Sequence, residues 1–133
     1  MKTLNYSICA VFALFLFSLT TYSQITIINV STDESGIVQL TENGNATVKP
    51  DSHVQWICTS AELRSIVIRP EVQPDTGQRN IWQVEPRAQN DDPRVWSGRV
   101  MNFDTRESQY YYLDWEKRDG TNGTIDPVIK VDP

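Results

Sequence analysis

YYYLDWEKRDGTNGTIDPVIKVDP, residues 110–133, is the stretch on which the fold turns. Side chains on a strand alternate between two faces. With Gln109 included, Tyr111, Leu113 and Trp115 share one face, and Tyr110, Tyr112 and Asp114 share the other. The first set is the more apolar and is expected to face a core. The second should show phenol rings and a carboxylate to the outside or to a neighbouring strand. Asp119-Gly120 and Asn122-Gly123 are both pairs that favour positive φ at a hairpin tip. Beyond them Ile129 and Val131 point one way, and Val128 and Lys130 the other. That is the pattern of an edge or near-edge strand with one buried face.

Upstream, the same pattern recurs as short β-type runs between turn formers. QITIINV, IVQL, HVQWICT, RSIVIRP, NIWQVE and RVWSGRVMNF each read as a strand. In HVQWICT, Val54, Trp56 and Cys58 form the apolar face. Asn43-Gly44 marks a turn, and Gly98 a bulge or close approach. Residues 71–93 hold Pro74, Pro86 and Pro93 and read as the least regular part, with AQNDDP a turn-rich link. There are no heptads, tandem repeats or long helical periods. About eight strands and no helix predict an all-β, two-sheet sandwich.

The chain begins MKTLNYSICAVFALFLFSLTTYSQ, one lysine followed by an apolar run over 8–19. A spanning helix needs about 20 apolar residues. The run is too short for that and reads as a secretory signal over residues 1–23, cut after Ser23. Residues 24–133 are then a single β-sandwich domain. Cys9 sits too early in the run for a lipid-modified cysteine. The expected location is secreted or periplasmic. Loss of Lys2 with the signal takes the formal charge from −5 to −6. An acidic secreted chain is a poor partner for nucleic acid or anionic lipid, and its arginines are scattered rather than clustered.

Cys58 is the one cysteine outside the signal, so no intramolecular disulfide can staple the fold. Its plainer reading is a small buried apolar residue rather than a reactive thiol. NVS, NAT and NGT at Asn29, Asn45 and Asn122 match the glycosylation acceptor pattern.

VKPDSHVQW resembles a motif of cupredoxin-like domains, in which a turn precedes an alternating strand with a tryptophan. YYYLDW…DGTNGTIDPVIKV is similar to their closing hairpin, and WSGRV followed by that hairpin to small secreted cupredoxin-like proteins. The resemblance covers about half of residues 24–133. It implies a cupredoxin-like sandwich, with an immunoglobulin-like one as the alternative, but not copper. A blue-copper site needs two imidazoles and a thiolate. This chain has one histidine, His53, and its closing hairpin carries Asp114 and Lys117 where such families carry a cysteine and a histidine. Arg64 and Ser65 stand where an earlier histidine is expected. Neither Met101 nor Cys58 replaces that set, so no cofactor is expected.

Catalysis finds little footing. His53 is the sole imidazole, and Ser52 beside it points to the opposite strand face. The expectation is a protein that is not an enzyme. Asp114, Asp119 and Asp126 could supply oxygen ligands to calcium, which makes a small calcium-binding protein the alternative. DGTNGTID lacks EF-hand spacing, however, and a plain hairpin tip explains its glycines. The best binding signal is aromatic: Trp82, Trp96, Tyr110 and Tyr112 are candidates to stack on a sugar or to bury a protein partner's surface. For the two tryptophans a core position is the favoured reading. The expected function is a non-catalytic binding or structural interaction module whose partner is a protein or a carbohydrate.

Overall fold

A computed structural model describes residues 23–71 and 79–133. Residues 1–22, where the signal reading falls, and 72–78 lie outside the described residues. The described chain forms ten strands: β1 (Ile25–Thr32), β2 (Val38–Leu40), β3 (Ala46–Val48), β4 (His53–Cys58), β5 (Leu63–Pro70), β6 (Trp82–Gln89), β7 (Asp92–Val100), β8 (Glu107–Lys117), β9 (Asn122–Ile125) and β10 (Val128–Val131). A 3-10 turn, Thr41–Gly44, follows β2. The first sheet has the order β2-β1-β4-β7-β6, and the second β3-β10-β8-β5 with β9 also on β8. Pairing is antiparallel except for β1 with β4 and β3 with β10. The molecule is an all-β two-sheet sandwich. Among the described residues no helix is long and apolar enough to cross a membrane.

Alternation sets the layers. In β4, Val54, Trp56 and Cys58 are buried while His53, Gln55 and Ile57 are only half-buried. In β8, Tyr111 and Leu113 are fully buried. Ile28 and Val30 of β1 meet Ile66, Ile68, Ile129 and Val131 in the same core. At its centre, Trp56 packs edge-on to Tyr111 with ring centroids 5.4 Å apart, and lies 6.0 Å from Trp82. Burying an aromatic ring with a polar tip requires a partner for that tip. Trp56 Nε1 donates to the Tyr111 hydroxyl (3.1 Å), which donates to the Gly44 carbonyl (2.6 Å).

That chain ends on an unusual turn. Glu42, Asn43 and Gly44 have φ of 50°, 57° and 82°, three left-handed residues in a row. Gly44 has no alternative, since a Cβ there would lie 2.6 Å from Pro127. A left-handed backbone at two non-glycine residues is strained and persists only where its surroundings hold it. Here they are the Tyr111 hydroxyl on Gly44 and the Asn45 N–H on the Glu42 carbonyl.

Ten strands stand where about eight are expected. β3 and β9 are the additions, and both are short. Asn122-Gly123 is not part of the hairpin tip but belongs to β9, opposite Glu116 and Trp115. Its glycine is demanded by packing: a Cβ on Gly123 would lie 2.6 Å from the Trp115 ring. The tip is made by residues 118–121, with Gly120 at φ 89°. The region expected to be irregular also holds more strand. β6 and β7 are joined tightly through Asn90 and Asp91, both left-handed at 52° and 59°, a turn that suits the twist of a hairpin. Pro86 is tolerated because β6 is an edge strand with several register shifts. Gly98 is a close approach rather than a bulge: the Trp82 ring and Pro86 lie over it. Trp82 is therefore core, 2 % exposed, and is removed from the candidate surface. Trp96 stands opposite Trp56 in register and is half-buried against the core.

Candidate functional site: an aromatic and ionic platform on the second sheet

The remaining candidates come together on the outer face of β8. Tyr110 and Tyr112 point outward because Tyr111 points in, and Tyr110 is 43 % exposed. Register supplies their neighbours. β5 places Arg69 opposite Tyr112 and Val67 opposite Asp114; β10 places Val128 opposite Tyr110; β9 places Thr124 opposite Asp114. Cross-strand pairs of this kind are close enough to interact directly.

Arg69 organises the face. Its Nε donates to Asp114 Oδ2 (2.5 Å) and its Nη2 to Oδ1 (3.0 Å), a bidentate pair. The guanidinium also lies over the Tyr112 ring, 5.0 Å from its centroid. Thr124 Oγ1 donates to Asp114 Oδ1 (2.7 Å). The Arg69 hydrogen bonds hold the Asp114 carboxyl below its ordinary range, with Thr124 assisting. The same contact raises Arg69. A hydrogen bond to the Glu71 carboxylate pushes the Tyr112 phenol up. Tyr112 is thus fixed by Arg69 on one face and Glu71 at its tip, whereas Tyr110 keeps an open ring. Fixed aromatic side chains bind at low entropic cost. Beside them a shallow groove of about 250 Å³ runs along Ser65, Val67, Asp114, Glu116 and Thr124.

Arg69, Glu71 and Thr124 were not singled out from the sequence. Their strands were legible, but which strand neighbours β8 was not, and the site is a product of that neighbourhood. Gln109 was missed as well. It is 2 % exposed, accepts the Ile81 N–H (3.2 Å) and donates to the Glu71 carbonyl (3.2 Å). It thereby ties β5's end to the approach to β6, next to the platform. A buried glutamine in an aromatic strand was the available signal.

The carboxylates of the calcium alternative are not assembled. Asp114 is taken up by Arg69 and Thr124. Asp119 accepts the Thr121 N–H and hydroxyl within the hairpin tip, and Thr121 holds its carboxyl low. Asp126 is exposed. Among the described residues no three His, Cys, Asp or Glu side chains are grouped to hold a metal ion. Ser52 is buried and donates to the Lys49 carbonyl, while His53 Nδ1 lies 3.0 Å from Ser23 Oγ. Cys58 is a free thiol on the core side of β4, 7 % exposed. Burial pushes it up to about 11 against the pull of Arg94.

No protein-family model matches the sequence, and no curated protein matches it. Among solved structures, the bradyzoite-specific antigen BSR4 from Toxoplasma gondii is similar over 85 % of this chain and 50 % of that one, at 10 % identity and a TM-score of 0.43. This chain spans half the length of that protein. A likeness at this level transfers neither site nor role.

Proposed function

We propose that this chain is a secreted or periplasmic, non-catalytic β-sandwich of the cupredoxin-like kind, without copper, that binds a partner on the outer face of its second sheet. One observation carries the reading: Tyr110 and Tyr112 lie side by side on β8, one ring open and the other fixed by Arg69 and Glu71. Such a surface suits a sugar ring or a protein side chain, since both stack on aromatic faces and accept hydrogen bonds from a guanidinium. The absence of copper is supported by β4 itself. His53 and Cys58 stand on opposite faces of that strand, so imidazole and thiolate cannot converge on one ion. The calcium alternative would require Asp114 to give up its Arg69 pair, and no observation favours it. Melting with and without millimolar calcium separates the two readings, since a bound site would raise the midpoint.

The test is binding of Tyr110→Ala and Tyr112→Ala, alongside the parent, to an array of soluble glycans and to surface proteins captured by the parent. Each variant is expected to lose about tenfold or more in affinity, the range of an interfacial aromatic. Unchanged affinity in both would reject this face.

A further inference from the structure

β1 starts beside the turn that leads into β4. Its pairing with β4 begins at Ile25, opposite His53, and the His53 N–H also holds the Gln24 carbonyl (2.8 Å). Gln24 itself is exposed. One residue earlier, Ser23 Oγ donates to the Asp51 carbonyl (2.9 Å) and lies 3.0 Å from His53 Nδ1. Ser23, Gln24, Lys49, Pro50, Asp51 and Arg99 line a hollow of about 270 Å³ here. Asp51 is the one acid among them, and it is already engaged. Arg99 donates to its Oδ1 through Nε (3.1 Å) and Nη2 (2.6 Å).

A cut after Ser23 releases Gln24 as the first residue. It takes the Ser23 hydroxyl away from the Asp51 carbonyl and turns the Gln24 peptide nitrogen into an α-amine. An ammonium there joins Lys49 and Arg99 around a hollow whose single carboxylate is taken. A neutral end group suits that charge balance better. A fraction of α-amines is unprotonated at neutral pH, and the unprotonated form is a nucleophile. Within its own residue it meets one suitable electrophile, the side-chain amide carbon, through a five-membered ring.

We propose, on the reading that the signal is cut after Ser23, that Gln24 closes to pyroglutamate and β1 is led by a neutral lactam. The α-nitrogen attacks the side-chain amide carbon and the bond to Nε2 breaks. Ammonia leaves, carrying the proton that the amine gives up. No oxidant or co-reactant is consumed. The fold accepts the product. The N–H and carbonyl of one strand residue point the same way, so the Gln24 nitrogen faces β4 as its carbonyl does. The lactam nitrogen is a planar amide with one N–H, as the peptide nitrogen was. The Asp51 carbonyl vacated by Ser23 stands on that side. The Gln24 carbonyl keeps its His53 bond. Chain ends are where proteolysis concentrates. The lactam offers no α-amine to an aminopeptidase at the residue that holds His53.

The full chain, exported by cells through its own residues 1–23, is read by intact mass and by tandem mass spectrometry of its first proteolytic peptide. That peptide is expected to begin at residue 24 and to be lighter than its sequence by one ammonia, about 17 Da. Stepwise degradation from the amine end should give no first cycle until a pyroglutamyl peptidase removes the lactam. Gln24→Ala should keep its full mass, give a readable first cycle and be trimmed by an aminopeptidase that leaves the parent intact. A parent that begins at Gln24 with full mass and a free amine overturns the cyclisation and leaves the secretory reading standing. So does a parent that loses ammonia only on storage after collection. A chain that keeps residues 1–23, or begins elsewhere, overturns both.

Discussion

Tyr111 joins three parts of the molecule through one hydroxyl. It accepts from Trp56, donates to Gly44, and its ring is fully buried. Removing that oxygen leaves a buried indole N–H and a buried carbonyl without partners, and each such loss costs more than the net worth of the bond itself. Tyr111→Phe is therefore expected to lower stability by about 1–3 kcal/mol, measured by urea unfolding with an unchanged slope. It should also release the left-handed turn, so amide exchange at Asn43 and Asn45 should accelerate more than at β8. If exchange there stays unchanged, the turn owes its conformation to Pro127 and Leu40 packing instead.

At the scale of elements, the closing hairpin shows two uses of glycine that a dipeptide rule cannot separate. Gly120 has a left-handed backbone with open space around it, whereas Gly123 lies in a strand with the Trp115 ring across it. Gly123→Ala is expected to cost about 1–3 kcal/mol through overpacking and to shift Trp115 fluorescence. Gly120→Asn should cost a few tenths of that, because asparagine accepts left-handed φ. Equal effects would mean that both glycines serve the turn. The contrast shows where sequence reading stopped. Alternation identified which residues of β4, β8 and β10 face inward, since it is written into each strand. It also kept Tyr110, Tyr112 and Asp114 on one face. It could not pair β5 with β8, so the Arg69 contacts with Tyr112 and Asp114 were invisible. β3 and β9 escaped because three or four residues carry too little pattern. Trp82 entered the candidate surface because a tryptophan in a proline-rich stretch resembles a recognition residue until Gly98 is seen beneath it.

For the whole molecule, two buried acids make stability fall on the alkaline side. Burial pushes the Cys58 thiol up from 9.0 to about 11 and the Tyr111 phenol well above its ordinary 10.0. Trp56, donating to the Tyr111 oxygen, pulls slightly the other way. Both groups stay protonated in the fold and ionise at ordinary values once unfolded. Above pH 9 the unfolded chain thus binds fewer protons than the folded one, and stability declines with rising pH. The Cys58 contribution is fully present below pH 9 and is lost as pH rises through about 11; that of Tyr111 begins to fall above 10. The acid side has the opposite sign. Asp114 is held below 3.8 by Arg69, so its contribution is present above that value and is lost as pH falls through the lowered one. Arg69 is 54 % exposed and Asp114 32 %, so solvent screens the pair and keeps this acid-side effect small. Urea midpoints from pH 3 to pH 11 should accordingly be flat through neutrality and drop most steeply at the alkaline end. Cys58→Ala should start from a lower midpoint and hold it to about pH 10 before Tyr111 takes effect. An alanine variant whose midpoint falls from pH 9 in parallel with the parent would show that the buried thiol does not couple folding to pH, and that the growing negative charge of the whole chain does.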